Sequence, residues 1–301
     1  MIEDDPIAIV GGGPAGLSAA LTLARADRRS IVFDALAPPR NAASSSIGNL
    51  PGQDETAPSD LRRRIREELT GYGRTDFYAA EIASVNGSAA DGFTLVQPDG
   101  GSLAASRVIL ACGRVDIYPE VEGFADYWGK SVHNCPYCGG YADRGKPWGI
   151  VINRPEMIDI VEIYRMWSED LILFLEPGIG IEPERKEDLA AKGISVETSP
   201  IRRILGDGTR MQAVELADGR SVARSALIWW PKMRAPELVA DLALTLTDRG
   251  DVMVDEGFHT SRAGIYAAGD LIYTDHQTVA TAIHLGGACA ASVVFDLAMA
   301  G

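Results

Sequence analysis

The chain has 301 residues, 46% of them apolar, with 32 glycines and a formal net charge of −14. That length accommodates two domains, each with its own core, and the negative balance argues against nucleic acid or an anionic membrane as partner. The acidic start Met1-Ile2-Glu3-Asp4-Asp5 lacks the basic and apolar stretches of a secretion signal, no apolar run reads as reaching the roughly 18 residues of a membrane span, and a cytoplasmic protein is expected.

In chain order, Ile7-Ala8-Ile9-Val10 predicts a short buried strand that runs into Gly11-Gly12-Gly13-Pro14-Ala15-Gly16. A helical, Ala-rich pattern follows from Leu17 to Arg28. Then comes a second strand, Ser30-Ile31-Val32-Phe33, ending on Asp34, 18 positions beyond Gly16. Together these form the βαβ dinucleotide signature. Gly11 permits the tight turn, Gly13 lets backbone approach a pyrophosphate, and Gly16 packs helix on strand. The helix N-terminus, with Pro14 and Ala15 in its first turn, faces the phosphates, and Asp34 accepts hydrogen bonds from a ribose. Arg62-Arg63-Arg64 with Arg66 reads as a solvated helix face, with a docking patch as the alternative. Ser106 to Ala111 reads as a strand closing this half at Cys112-Gly113.

Residues 115–245 read as an inserted domain. It opens with Cys135-Pro136-Tyr137-Cys138, two thiols spaced to close a disulfide and reopen it reversibly. The remaining cysteines, Cys112 and Cys289, are singles, which is not a secreted disulfide framework. The four histidines (His133, His259, His276, His284) form no second pair at metal spacing, so no metal site is expected. Within the domain the pattern predicts strand 148–153, helix 156–167, strand 171–175, helix 183–192, strand 194–197, a hairpin near 211–223 and strand 225–230. That is a second βαβ layout, where a nicotinamide domain would sit. Its phosphate turn is missing: Asn153-Arg154-Pro155-Glu156-Met157 contains no glycine, Pro155 removes an amide donor, and Glu156 puts negative charge at the helix start. The next strand leads to Glu176-Pro177, without arginines for a 2′-phosphate. The shape of a nicotinamide site is kept without its function, the alternative being NADPH bound in an unusual way. Trp229-Trp230 at a strand end reads as core, or as the lining of an apolar pocket. Residues 246–301 return to the first domain, with strand Ile265-Tyr266-Ala267, a Gly269-Asp270 turn and a helix from about Gln277.

The fold class is therefore α/β: two Rossmann-like three-layer domains. The dinucleotide domain is discontinuous (1–114 and 246–301) around an inserted, vestigial nicotinamide-type domain (115–245).

Over nearly its full length this order resembles the thioredoxin reductase family of two-dinucleotide-domain flavoproteins. Asn49-Leu50-Pro51-Gly52 is similar to that family's Asn-aromatic-Pro-Gly loop. Within the superfamily, Pro39-Arg40-Asn41-Ala42, Gly123 to Val132, Cys135 to Cys138 and Met166 to Asp170 are similar to the gliotoxin- and holomycin-type dithiol oxidases. The resemblance implies bound FAD, held by the first glycine turn together with Arg40, Asn41, Asn49, Gly113, Gly269, Asp270, Gln277 and Thr278. It also implies a homodimer, and a small dithiol or a thioredoxin-like protein as partner. By the same resemblance Cys138 faces the flavin and Cys135 exchanges with the substrate. The chain departs from both patterns after the second cysteine: thioredoxin reductases carry Asp there and the dithiol oxidases His, whereas this sequence has Gly139-Gly140.

A thiolate is the reactive form, so a base must be supplied. His276 replaces the Arg of the reductases' Arg-Gln pair and is the first candidate, with His133, two positions before Cys135, as the other. Four functions follow. In the first, a dithiol oxidase passes electrons from a small dithiol through Cys135/Cys138 and FAD to oxygen, without NADPH. The second is a disulfide or thioredoxin reductase fed by ferredoxin, flavodoxin or another non-nicotinamide donor. The third is an ordinary NADPH-dependent thioredoxin reductase, and from a different class comes a flavin redox sensor or interaction protein that does not turn over.

Overall fold

The structure is a computed structural model and describes residues 5–35 and 37–300. Most of the acidic start, residues 1–4, lies outside them. Contacts divide the chain into two compact units. One comprises Met1–Arg40, Pro58–Val115 and Met233–Gly301; the other comprises Asn41–Ala57 and Asp116–Lys232.

In the first unit a five-stranded parallel sheet has the order Ile265–Ala267, Arg107–Leu110, Ile7–Val10, Ser30–Phe33, Thr75–Tyr78. Side chains alternate across a strand, and both faces here are covered, so the central strand is apolar throughout. Ile7 and Ile9 pack with Leu17, Leu23, Cys289 and Val293 of the helical face. Ala8 and Val10 turn to Val85, Phe93 and Leu95 on the other face. These last belong to an antiparallel meander, Ser84–Ser88, Gly92–Val96 and Ser102–Ala105, absent from the expected elements. Leu238, Val239 and Leu242, in and just after the helix Glu237–Asp241, join the same cluster. Burial of that helix here is why the chain re-enters the first unit at Met233 and not near 246.

The helix Pro14–Arg25 begins with proline in its first turn and ends before Arg28, because Asp27 takes a left-handed φ of 58°. The helix Val279–Ala300 corrects one expectation. By length and composition its Val279–Met299 stretch, with mean hydropathy 1.6, is long and apolar enough to cross a membrane. In the structure Cys289, Ala290, Val293 and Leu297 are buried in the core of the first unit. Gly286 lies against the backbone of Ala15, where a Cβ would collide.

The second unit repeats the plan. Its parallel sheet has the order Ile194–Glu197, Leu171–Leu175, Trp148–Ile152, Ala226–Ile228, Val132–His133. A three-stranded antiparallel sheet, Ile201–Gly206, Met211–Leu216 and Ser221–Ala223, packs Ile204, Val214 and Leu216 against Val151, Phe174 and Leu227. The segment expected as a helix over 156–167 is a run of 3₁₀ turns, Pro155–Met166. Ile158, Val161 and Tyr164 are buried at every third position, and a turn of three residues is what stacks that spacing on one face.

Candidate active site

In the first unit the crevice opens where the strand order reverses, between Ile7–Val10 and Arg107–Leu110. Gly11 has φ 119°, and a Cβ on it would collide with the Ala111 carbonyl. A Cβ on Gly16 would collide with the Gly11 carbonyl. Nothing lies within 4 Å of where a Gly13 Cβ would be, and Gly13 caps the helix Pro14–Arg25 without a side-chain hydrogen bond. The start of that helix therefore has open space at Gly13, beside its positive end, while Ala15 and Gly16 are buried in its first turn. Gly113 (φ 65°) and Gly269 (φ 73°) each take a left-handed turn.

Asp34 lies against the same turn, so that a Cβ on Gly12 would meet its carboxylate. Arg62 and Arg66 both donate to Asp34 Oδ2, at 2.6 and 2.8 Å, and Arg62 also donates to the Gly12 carbonyl at 3.1 Å. This corrects the reading of the arginine run. Arg63 pairs with Glu67 and Asp60 at the surface, whereas Arg62 and Arg66, one helical turn apart, point at Asp34. The i, i+4 spacing was the available signal. Both arginine bonds go to Oδ2, so among the described residues neither arginine is bonded to Oδ1.

Next to Gly269, where a Cβ would meet Ala15, Arg40 donates to Gln277 Oε1 at 2.8 Å and to Asp270 at 3.2 Å, joining residues far apart in the sequence. Thr278 accepts from the Thr281 amide at 3.1 Å and so caps the helix Val279–Ala300. Thr274 Oγ1 is buried and meets no partner among the described residues. Open space at Gly13, an acid oxygen that neither arginine bonds and an orphaned hydroxyl fit a dinucleotide cofactor. His276 is exposed, and among the described residues its ring has no partner. Burial pushes the Cys112 and Cys289 thiols up to about 12, so neither is a ready thiolate.

In the second unit Cys135 and Cys138 form a disulfide with Cα atoms 5.3 Å apart. The turn is helical, Gly139 N donating to the Cys135 carbonyl at 3.2 Å and Gly140 N to that of Pro136 at 3.0 Å. The Cys138 amide donates to Cys135 Sγ at 3.1 Å. Cys138 lines a cleft of about 490 Å³ together with Gly139, His133, Arg210 and the loop Ser44 to Glu55. Tyr137, Tyr141 and Trp167 are its aromatic part, and Tyr137 packs edge-on against Trp167 at 5.1 Å. The loop sits this close because Gly48 abuts the Cys138 carbonyl and Gly129 abuts the backbone of Ala43 and Ser44. Asn49 is part of this wall, with φ 63° and its amide donating to Asp54 at 2.7 Å. Asn41, whose carbonyl accepts from Ser44 at 3.1 Å, also falls in this unit, whereas Arg40 falls in the first.

At the carboxyl ends of the second parallel sheet the crevice is tied across. Asn153 Nδ2 donates to the Trp230 carbonyl at 2.5 Å, linking the strand ends of Trp148–Ile152 and Ala226–Ile228. Trp229, 3% exposed, donates its indole N–H to Glu176 at 3.0 Å. The Trp229 indole and the Trp230 carbonyl thus both take part in links between the ends of these strands.

Residues 5–154 and 178–286 match the pyridine nucleotide-disulphide oxidoreductase family. The thioredoxin reductase tcpT of Claviceps purpurea is 31% identical over 273 residues, covering 87% of this chain and 85% of that protein. The thioredoxin reductase sirT of Leptosphaeria maculans is 30% identical over 90% of this chain and 88% of its own. Among solved structures, an oxidoreductase from Agrobacterium tumefaciens superposes with a TM-score of 0.89 at 30% identity, covering 99% of both chains. With its glycine-turn crevice and its Cys135–Cys138 disulfide, the chain belongs to the pyridine nucleotide-disulphide oxidoreductase family, as a thioredoxin reductase-like FAD enzyme acting on sulfur groups.

Proposed function

We propose that the protein oxidises a small dithiol to its disulfide through Cys135 and Cys138, with oxygen as terminal acceptor and without NADPH. The observation that carries this reading is at the strand ends of the second unit, which the Asn153–Trp230 and Trp229–Glu176 hydrogen bonds link and where no glycine turn follows Ile152. The cleft beside the disulfide supports a small substrate. Its volume of about 490 Å³ falls in the range of small-molecule sites, about 300–1,000 Å³.

In the exchange a substrate thiolate attacks one sulfur of the disulfide. The Cys135–Cys138 bond breaks and the departing sulfur keeps the electron pair. The second substrate thiolate then displaces the first bond, leaving a substrate disulfide and a Cys135/Cys138 dithiol, with two electrons and two protons moved. The Cys138 amide, donating to Cys135 Sγ, stabilises negative charge on that sulfur. Gly11, Gly13, Pro14, Ala15, Gly16 and Asp34 would hold FAD, with Gly113, Arg40, Gly269, Asp270, Gln277 and Thr278 around the same unit. When bound, FAD supplies the two-electron acceptor that returns the dithiol to the disulfide. The overall balance is dithiol plus oxygen giving disulfide plus hydrogen peroxide.

A second reading, a reductase of thioredoxin-like partners fed by a protein electron donor, draws support from the relatives' name, thioredoxin reductase. It needs a basic docking patch for an acidic donor, and Arg62 and Arg66 are held by Asp34. Peroxide formed one-for-one with dithiol consumed, and lost in Cys138→Ser, is the result expected of the oxidase. Turnover with dithiol and no peroxide would favour the reductase.

A further inference from the structure

The residue after Cys138 is glycine, so no side chain on that turn serves the thiol. The space is nonetheless filled. A Cβ built on Gly139 would collide with the imidazole of His133, its Nδ1 being the nearest atom. We propose that His133 is the group that takes the Cys138 thiol proton, and that glycine at 139 is what admits the ring to this place. The proposal rests on the reading of Cys135/Cys138 as a working dithiol, but on neither the electron donor nor the acceptor.

The backbone fixes the ring's origin. His133 ends the edge strand Val132–His133, paired with Ile228, and its carbonyl accepts from the Trp229 amide at 2.8 Å. The ring is 8% exposed and lines the same cleft as Cys138. Its far nitrogen, Nε2, meets Asp143 Oδ2 at 3.4 Å. Asp143 is fully buried and is itself held by Lys146 at 2.9 Å and by Arg210. Asp143 is thus a positioning residue. Accepting the Nε2 proton fixes the tautomer that leaves the lone pair on Nδ1, toward Gly139.

The charged groups facing His133 are Asp143 from the 3₁₀ turn Gly140–Asp143, Lys146 beyond it, and Arg210 from the loop ahead of Met211–Leu216. Asp54 and Glu55 line the cleft from the opposite loop, and Lys130 from below it. Burial first, and the Arg210 charge second, hold His133 down to about 4. With the cysteines oxidised the ring is therefore neutral, with a free lone pair at neutral pH. When the pair is reduced, the proton moves from Cys138 Sγ to Nδ1. The thiolate formed adds a counter-charge for the imidazolium to that of Asp143, which Lys146 and Arg210 share, and Arg210 adds a second cation to the cleft.

The test is alkylation of the holoprotein reduced with dithiothreitol, following iodoacetamide addition at Cys138 by peptide mass between pH 5 and 9. Wild type should react well below the pH of an ordinary thiol, whose pKa is about 8.5. In His133→Asn the profile should move up to that range, with the rate at pH 7 down about tenfold and restored by added imidazole. Gly139→Ala, which leaves His133 in the chain but takes its space, should show the same loss and keeps the test open if the buried His133 variant does not fold. Wild-type rates at every pH in both variants would overturn the proposal while leaving the dithiol reading intact. A Cys135–Cys138 pair that dithiothreitol does not reduce would overturn both.

Discussion

Arg114 and Asp251 face each other at 2.5 Å with 2% and 9% of their side chains exposed. Arg114 also donates to the Gly250, Arg249 and Met233 carbonyls. A buried charge is tolerable only while it is paired, so Asp251→Ala, which strands the guanidinium, should cost about 3–5 kcal/mol. A urea midpoint lowered accordingly at unchanged slope would bear this out; a shift under about 1 kcal/mol would show that carbonyls alone suffice. A second residue-scale prediction concerns Gly16, where any Cβ meets the Gly11 carbonyl. Gly16→Val should purify with little flavin absorbance per chain, and full flavin content would contradict the assignment of this turn to FAD. The two sites differ in how far the sequence reveals them. The glycine turn is legible because each glycine answers a local backbone need. The Arg114 pair is not, because it depends on partners brought close only by folding; the Asp34 arginines show only their i, i+4 spacing, and His133 only its place two positions before Cys135. Gly139 reads as a missing side chain; only the structure shows another side chain standing in its place.

At the scale of elements, the long helix Val279–Ala300 is pinned near its end by His259. The ring bonds Asp296 of the helix at 2.6 Å through Nε2 and Asp255 at 2.9 Å through Nδ1, and Tyr266 donates to Asp296 at 2.6 Å. Asp296 first, then Asp255, raises the His259 pKa. A raised folded-state pKa means the stabilisation is complete below the unfolded value of about 6.5 and is lost as pH rises through the folded one. Thermal stability should therefore decline from neutral into mildly alkaline solution, and His259→Gln should flatten that slope; an unchanged slope in the variant would contradict the assignment. The pairing lies between residues distant in the chain, and so is silent in the sequence. The 3₁₀ run Pro155–Met166 is a different case. Its three-residue apolar spacing was visible in the sequence, but helix and 3₁₀ templates share the i, i+3 contacts, and the sheet it packs on decides between them.

The molecule carries the βαβ plan twice; besides the 3₁₀ connection of the second copy, the two differ at the carboxyl ends of the central strands. In the first unit glycines keep that end open. In the second, an asparagine and two tryptophans tie it across. The loss of glycine after Ile152 was legible in the sequence as a missing phosphate turn; the hydrogen bonds that tie the strand ends were not, since Trp229-Trp230 reads first as core. The central claim, that electrons enter from a dithiol and not from a nicotinamide, is tested most directly by anaerobic titration of the flavin absorbance. A small dithiol should bleach the flavin and air should restore it with release of peroxide, while NADPH and NADH leave it coloured. Bleaching by NADPH at a rate matching turnover would contradict the account and make the second crevice a working nucleotide site.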